Sequence, residues 1–369
     1  MRIVAAVVQQ QGGPFVLTEA ELDAPQGDEI VVGIRAAGIC ATDLHVRDQH
    51  LPMPLPAILG HEGAGVVEAV GNDVKGLAVG DHVVLSQLAC GQCRECGAAH
   101  PAYCARLFEL NYAGCREDGT IGVTGTVPGR GPIHGHFFGQ SAFATRALAT
   151  ERNAVRVDPG ASLELLAPLG CGVQTGAGAV LNSLGVAPDA SIVILGTGAV
   201  GLAAVMAARV AKATRIIAVD VRDDRLALAR ELGATHILHT QRDDVESAVR
   251  AIVPGGVDYV LEMTSDPSLG ALATRLLAPL GVAGLIGTPR PGARLEIDPM
   301  TLQSGGKMLR GISQGDAIPQ QFIPRLIELH QAGAFPFDRL VRFYPFEDIN
   351  EAVGDAERGE VIKPVLIMG

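Results

Sequence analysis

Four cysteines, Cys90, Cys93, Cys96 and Cys104, form a C-x2-C-x2-C-x7-C run inside a Gly-containing stretch. Thiolates spaced this closely suit a closed tetrahedral Zn2+ shell with Zn–S bonds of ~2.3 Å, which leaves no position for substrate and is therefore structural. Local disulfides are the competing use of these residues, but an odd total of seven cysteines and no secretory signal favour free thiols in a reducing compartment. Three further residues stand apart: Cys40 in Gly38-Ile39-Cys40-Ala41-Thr42-Asp43-Leu44-His45, His61 in Gly60-His61-Glu62-Gly63-Ala64-Gly65, and Cys171 in Leu169-Gly170-Cys171-Gly172. Any one of them alone reads as a buried structural residue. Each nevertheless falls at a Gly-flanked strand end or loop that a metal could approach, and two Cys with one His make a catalytic-type zinc shell with a free fourth position. Cys115 has no partner in either pattern and reads as an ordinary thiol.

A second kind of chemistry is written between residues 191 and 220. Ser191-Ile192-Val193-Ile194-Leu195 is a β-branched run fit for a buried parallel strand. It enters Gly196-Thr197-Gly198-Ala199-Val200-Gly201, then an Ala-rich helical stretch, Leu202 to Ala213, and a second β-branched run ending at Asp220, 19 residues past the last glycine. Gly196, Gly198 and Gly201 allow the tight turn and the close approach of a pyrophosphate to the helix N-terminus, where backbone N–H groups favour anions. An acid at Asp220 accepts hydrogen bonds from ribose hydroxyls and repels a 2′-phosphate, which favours NAD over NADP. Arg222 and Arg225 follow it; Arg225 is a further candidate cofactor contact, and the pair leaves an opening for NADP. The glycine motif is weak alone, and the strand, helix, second strand and acid around it give it weight.

The elements that must hold these residues follow from pattern and composition. The chain has 369 residues, 48% apolar and 19% charged, with 46 Gly and 22 Pro, so it can bury a large core and turns often. A net charge of −11 argues against a nucleic-acid partner, which needs clustered Lys and Arg. The uncharged run Ala190 to Ala208 approaches membrane-spanning length, but its three glycines fit strand, turn and helix better, so no membrane partner is expected. Downstream, Leu226–Leu232 and Leu269–Leu280 read as helices and Val257–Leu261 and Val282–Ile286 as strands; this α/β alternation argues for a doubly wound parallel sheet. The first ~150 residues instead show short strands, among them Glu29–Arg35, Gly65–Val70 and His82–Leu85, as in an irregular β domain. Phe322–Gln331 reads as a helix and Val361–Met368 as a closing strand. Aromatic residues are 4% with no Trp, which offers no evident platform for stacking a substrate ring.

Gly60-His61-Glu62-x2-Gly65-x5-Gly71-x2-Val74 resembles the signature of the zinc-containing alcohol dehydrogenases of the medium-chain dehydrogenase/reductase superfamily. The Cys40 segment, the four-cysteine lobe, the Gly170-Cys171-Gly172 segment and the nucleotide fingerprint follow in family order, so the resemblance covers nearly the whole chain. Gly170 to Gly178 and the long loop ending His136-Phe137-Phe138-Gly139 are most similar to the aryl-alcohol (benzyl alcohol) and related terpenoid-alcohol dehydrogenases. The resemblance implies a GroES-like β-rich catalytic domain with the zinc lobe over 1–172, a Rossmann NAD-binding domain over 173–312, and a C-terminal return to the catalytic domain over 313–369. It implies Cys40, His61 and Cys171 as catalytic zinc ligands, with Glu62 near the metal and taking part in ligand exchange. Thr42 matches the hydroxyl that bonds the substrate oxygen, and His45 the end of a proton relay. Thr175 and Lys363 match contacts to nicotinamide and pyrophosphate. Ala41 departs from the pattern: many relatives carry a basic residue there, and its loss should weaken NAD binding and speed its release, often the slow step.

Hydride leaves readily only from a deprotonated alcohol, so the implied zinc would act as a Lewis acid toward the alcohol oxygen, and NAD would accept the hydride. The expected cofactors are thus NAD and two zinc ions, one catalytic and one structural. The expected activity is reversible oxidation of primary aromatic or allylic alcohols to aldehydes. Two rivals share the motifs: a thiol-adduct (S-hydroxymethyl thiol) formaldehyde dehydrogenase, which needs cationic pocket residues, and an NAD-binding zinc protein without turnover. A cytoplasmic homodimer is expected, and tetramers also occur in the family.

Overall fold

The computed structural model describes residues 1–369, which divide into two compact units: Met1–Cys171 with Ile318–Ile327 and Asp338–Gly369, and Gly172–Ala317 with Glu328–Phe337. The sequence boundaries fell at 172/173 and 312/313. Residues 313–317 instead stay with the second unit, because a Cβ at Gly178 would lie 2.4 Å from the Gly315 carbonyl, so the helix Gly172–Gly178 and the Gln314–Asp316 turn are fitted to one another.

The first unit is built from β-sheets. Its largest has the strand Glu29–Gly38 near the centre, flanked by Glu62–Val70 and by Lys363–Ile367, with Arg146–Thr150 also pairing to it. Strand Glu29–Gly38 buries nine of its ten residues, as a strand covered on both faces must. Antiparallel pairing sets Gly38 opposite Glu62 and Val365. The end of one strand, the start of the next and the C-terminal strand therefore meet at one place, and Cys40, His61 and Lys363 all belong to it.

The second unit holds a six-stranded, all-parallel sheet. Its order is His236–His239, Arg215–Asp220, Ser191–Leu195, Val257–Glu262, Leu277–Leu285, Met308–Gly311. This is the 3-2-1-4-5-6 order of a Rossmann sheet, whose ligand crevice lies at the carboxyl ends of the strands where the order reverses. Strand Ser191–Leu195 sits at that reversal, and all five of its residues are buried. Ala190 to Ala208 is thereby strand, turn and helix, and no helix in the structure is long and apolar enough to cross a membrane. One element departs from the sequence reading. The helix expected to reach Leu280 stops at Leu276, and Leu277–Leu285 is a strand. Pro279 cannot continue a helix and disfavours helical geometry before it, which the apolar periodicity did not register.

Candidate active site

Cys40 caps the helix Ala41–Arg47, and Asp43 three residues on turns back onto it: Oδ2 accepts the Cys40 N–H at 2.8 Å. The other carboxylate oxygen accepts the Gly60 N–H at 3.1 Å and lies 2.8 Å from His61 Nδ1, with both side chains fully buried. The carboxylate accepts a hydrogen bond from Nδ1–H and leaves Nε2, which is buried and has no hydrogen-bond partner. An imidazole held in this tautomer is presented as a metal ligand. Gln140 fixes the His61 backbone, donating to the His61 carbonyl at 2.9 Å and accepting from the Gly63 N–H at 3.0 Å. Cys171 arrives on the Ala167–Gly170 turn, anchored where the Ser86 hydroxyl donates to the Gly170 carbonyl at 2.7 Å. Only glycine fits at 170, since a Cβ would lie 2.1 Å from the Leu85 carbonyl.

These elements bring the donor atoms of Cys40, His61, Glu62 and Cys171 within 4.8 Å of one another. Their charges are arranged accordingly. A hydrogen bond from Cys171 holds the Cys40 thiol well below its usual pKa against the cost of burial, and Lys363 and His61 assist. The same bond, with burial, raises Cys171. Burial pulls His61 down, but Asp43 and Cys40 outweigh it and push the imidazole up to about 10. Protons are thus shared among three groups that Zn2+ could hold in their place. The donor types, their convergence and the orphaned Nε2 fit a catalytic zinc with a Cys2His shell. Thr42 Oγ1 lies 3.9 Å from the Cys40 sulfur, and His45 sits one turn further along the same helix, its ring centroid 5.8 Å from that of His50.

Lys363 differs from expectation, whereas the Glu62 carboxylate stands in the donor cluster, near the metal position as the resemblance implied. Lys363 is buried, with its ammonium donating to both Glu62 oxygens at 2.9 Å and to the Ile39 carbonyl at 3.1 Å. All three protons are used, so Lys363 is a buried counter-ion to Glu62 rather than a group free to reach a pyrophosphate. Burial raises the Glu62 carboxyl and Lys363 opposes that rise. The sequence placed Lys363 by resemblance alone; pairing of Gly38 with both Glu62 and Val365 is a long-range fact that no local pattern encodes.

The four-cysteine lobe also fits a metal. All seven cysteines are free, and the sulfurs of Cys90, Cys93, Cys96 and Cys104 lie within 4.8 Å of one another. Cys90 and Cys96 sulfurs are 3.9 Å apart, well beyond the ~2.05 Å of a disulfide. Backbone N–H groups point at the sulfurs: Cys93 N–H at Cys90, Cys90 N–H at Cys104, both 3.3 Å, and Cys96 and Ala105 N–H at Cys93, both 3.5 Å. Such donors, led by the Gln92 N–H, lower Cys90 to about 6, whereas burial lifts Cys96 to about 12.

In the second unit, a Cβ at Gly201 would meet the Gly196 carbonyl at 1.9 Å, whereas one at Gly198 would meet nothing within 4 Å. The first glycine permits helix–strand contact, and the open space beside Gly198, at the N-terminus of the helix Ala199–Val210, suits a phosphate. Asp220 ends its strand and is tied down: Oδ2 accepts from the Thr197 N–H and hydroxyl, both at 2.7 Å, and Oδ1 from the Val221 N–H at 2.7 Å. Arg225 keeps a buried Nε without a partner, and Thr175 is buried with its hydroxyl 3.5 Å from Gln314. These residues fit a dinucleotide.

Several residues escaped the sequence reading. Asp43 was visible in the Cys40 segment, and its spacing from Cys40 is a capping signal. Gln140 and Thr197 carried no signal. The aromatic residues corrected an expectation: though sparse in the chain, Phe108, Tyr112, Phe137 and Phe138 gather in one cluster, and the Phe138 ring lies 4.5 Å from that of His61. Average composition cannot show such clustering.

The fold and the site together define a dehydrogenase class, and comparison with known proteins agrees. Residues 26–159 match the alcohol dehydrogenase GroES-like domain and residues 199–331 the zinc-binding dehydrogenase domain. The chain belongs to the zinc-binding alcohol dehydrogenases of the medium-chain dehydrogenase/reductase superfamily. It is 46% identical over 365 residues to the geraniol dehydrogenase of Castellaniella defragrans, covering 98% of this chain and 97% of that one. Among solved structures, benzyl alcohol dehydrogenase from Acinetobacter calcoaceticus superposes with a TM-score of 0.97 at 45% identity over 100% of both chains. An alcohol dehydrogenase zinc-binding domain protein from Burkholderia ambifaria matches with a TM-score of 0.97 at 52% identity, over 100% of this chain and 99% of that one.

Proposed function

We propose that the protein interconverts primary aromatic or allylic alcohols and their aldehydes, using NAD as the hydride acceptor. The cluster of Cys40, His61 and Cys171, with His61 Nε2 unpartnered, carries this reading. Similarity to a geraniol dehydrogenase and a benzyl alcohol dehydrogenase supports the alcohol class. Cys40, His61 and Cys171 would hold one zinc ion, which supplies Lewis acidity toward an alcohol oxygen. NAD supplies the redox chemistry. Cys90, Cys93, Cys96 and Cys104 would hold a second, structural zinc.

The chain's own residues do the rest. Asp43 orients His61 and keeps its Nδ1 protonated. Thr42 Oγ1, beside the Cys40 sulfur, would hydrogen-bond the substrate oxygen and relay its proton, releasing its own hydroxyl proton toward His45 as it accepts the substrate's. His45, one turn further along the same helix, would receive the proton that Thr42 passes on and deliver it to solvent. Lys363 neutralises Glu62, which would otherwise set a bare carboxylate against the thiolates. Asp220 would accept from the adenosine ribose and disfavour a 2′-phosphate, with Thr197 holding its carboxylate in place. Arg225 and Thr175 would contact the same cofactor. We also infer a homodimer: Met308–Gly311 closes its sheet with an unpaired outer edge, alongside exposed Met300 and Met308.

Initial rates with benzyl alcohol, geraniol and ethanol, each with NAD and with NADP, test the reading. The unsaturated alcohols should far outrun ethanol, and only with NAD. Preference for ethanol, or turnover only with formaldehyde and an added thiol, would overturn the alcohol class.

A further inference from the structure

Tyr112 ends the short helix Leu107–Tyr112, which follows the last cysteine of the lobe; the Leu107 N–H donates to the Cys104 carbonyl at 3.0 Å. The next residue back, Asn111, is fully buried and clamps this helix to the start of the lobe. Its Oδ1 accepts the Leu88 N–H at 3.0 Å, and its amide donates to the Leu88 carbonyl at 3.0 Å and the Leu107 carbonyl at 2.7 Å. The cysteine lobe therefore serves as a rigid mount for Tyr112.

From that mount the Tyr112 ring packs edge-on against Phe138, at 5.4 Å and 66°, and against Phe137, at 5.8 Å and 72°. Phe138 in turn lies over His61, 4.5 Å between centroids and tilted by 31°. Tyr112 is thus one ring removed from a candidate zinc ligand. Phe137 and Phe138 are buried, whereas Tyr112 is the residue of the three that keeps part of its surface exposed. Burial and then the charges of Cys171, Cys40 and Asp43 raise its hydroxyl above the usual phenol range, which places it in the field of the metal-ligand cluster and keeps it protonated. No protein group hydrogen-bonds that hydroxyl.

We propose that Tyr112 is the specificity-determining wall of the alcohol site, its ring receiving the aromatic ring or alkene attached to the carbinol carbon. The inference rests on the alcohol-class reading above and assigns the selection to one residue. An offset or edge-to-face partner rewards a flat π-system over a saturated group of similar size, because the ring's quadrupole has no counterpart in the saturated one. The hydroxyl is itself largely buried and kept protonated, and the two alcohols compared below are equally apolar beyond the carbinol, so it has no feature by which to tell them apart. Selection therefore belongs to the ring rather than to the hydroxyl.

The test compares kcat/KM for benzyl alcohol against cyclohexylmethanol in the zinc-loaded wild type and in Tyr112→Phe, Tyr112→Leu and Tyr112→Ala, with zinc content and NADH affinity measured for each. In Tyr112→Leu and Tyr112→Ala the benzyl-to-cyclohexyl ratio should fall by up to about tenfold, chiefly through KM. Tyr112→Phe should keep the ratio within about twofold, as a ring-based preference requires. Zinc content and NADH affinity should not change. A ratio that survives in both Leu and Ala variants overturns the inference while leaving the alcohol class standing. Loss of the ratio in Tyr112→Phe as well assigns selection to the hydroxyl and also overturns it. A wild type with no preference for benzyl alcohol sinks the alcohol-class reading, and this inference with it.

Discussion

Replacing Lys363 with Met should cost this protein far more than an ordinary Lys substitution. Lys363 and Glu62 form an ion pair with side chains 3% and 0% exposed, joined by two contacts of 2.9 Å. At an effective dielectric of about 20, charges at that separation attract by about 6 kcal/mol. Their desolvation offsets much of this in the intact pair, but removing one partner leaves a buried charge uncompensated, at about 3–5 kcal/mol. For a unit of about 200 residues that corresponds to a fall in Tm on the order of 10 °C. Calorimetry of zinc-loaded Lys363→Met, Glu62→Gln and the double variant is the assay. The double variant should recover most of the loss, because a neutral amide opposite Met no longer needs a counter-ion. NADH affinity should change little, since all three ammonium protons are committed inside the first unit. An unchanged Tm with NADH affinity reduced tenfold would refute this reasoning and return Lys363 to the pyrophosphate role that the family resemblance implied.

Three further perturbations give separable outcomes. Burial lowers His136 to about 4, so between that value and the unfolded pKa near ~6.5 the unfolded chain binds a proton that the folded one does not. Stability should accordingly fall as pH drops through this window, by up to about 1.4 kcal/mol per pH unit. His136→Asn, which tolerates the left-handed backbone at φ 61°, should flatten that slope in urea titrations, and an unaltered slope would contradict the assignment. Asp43→Asn should weaken catalytic zinc binding by about 10- to 100-fold in chelator competition, because the His61 tautomer loses its carboxylate; unchanged affinity would contradict it. Cys104→Ser should remove one zinc by native mass spectrometry and open Leu88–Tyr112 to proteolysis, whereas a protease-resistant variant would show that the lobe stands without metal.

The chemistry-bearing residues were legible because their constraints are local. The cysteine spacing and the Gly196–Gly201 turn each encode a geometry within a few residues, and the β-branched runs on either side locate the parallel sheet. Cys40, His61 and Cys171 were legible as candidate ligands by type and Gly-flanked setting, but as one assigned set only through the resemblance, since their convergence depends on Gly38 pairing with Glu62 and on the turn that carries Gly170 against Leu85. Lys363 shows where such a resemblance stops: position in the chain was matched, but burial and the Glu62 partner come from tertiary pairing. Tyr112 and Phe138 lie 26 residues apart and share no motif, so only the folded chain reveals the aromatic wall. The helix ending at Leu276 adds a smaller lesson, because Pro279 overrode an apolar pattern that otherwise continued.

The central claim is that Cys40, His61 and Cys171 hold a zinc on which alcohol oxidation depends, independently of nucleotide binding. Cys171→Ala, assayed side by side with wild type for zinc content, NADH affinity and benzyl alcohol turnover, tests it most directly. The account predicts one zinc fewer per chain, NADH affinity within about threefold of wild type, and no detectable turnover. Turnover that persists after the zinc is lost would contradict it.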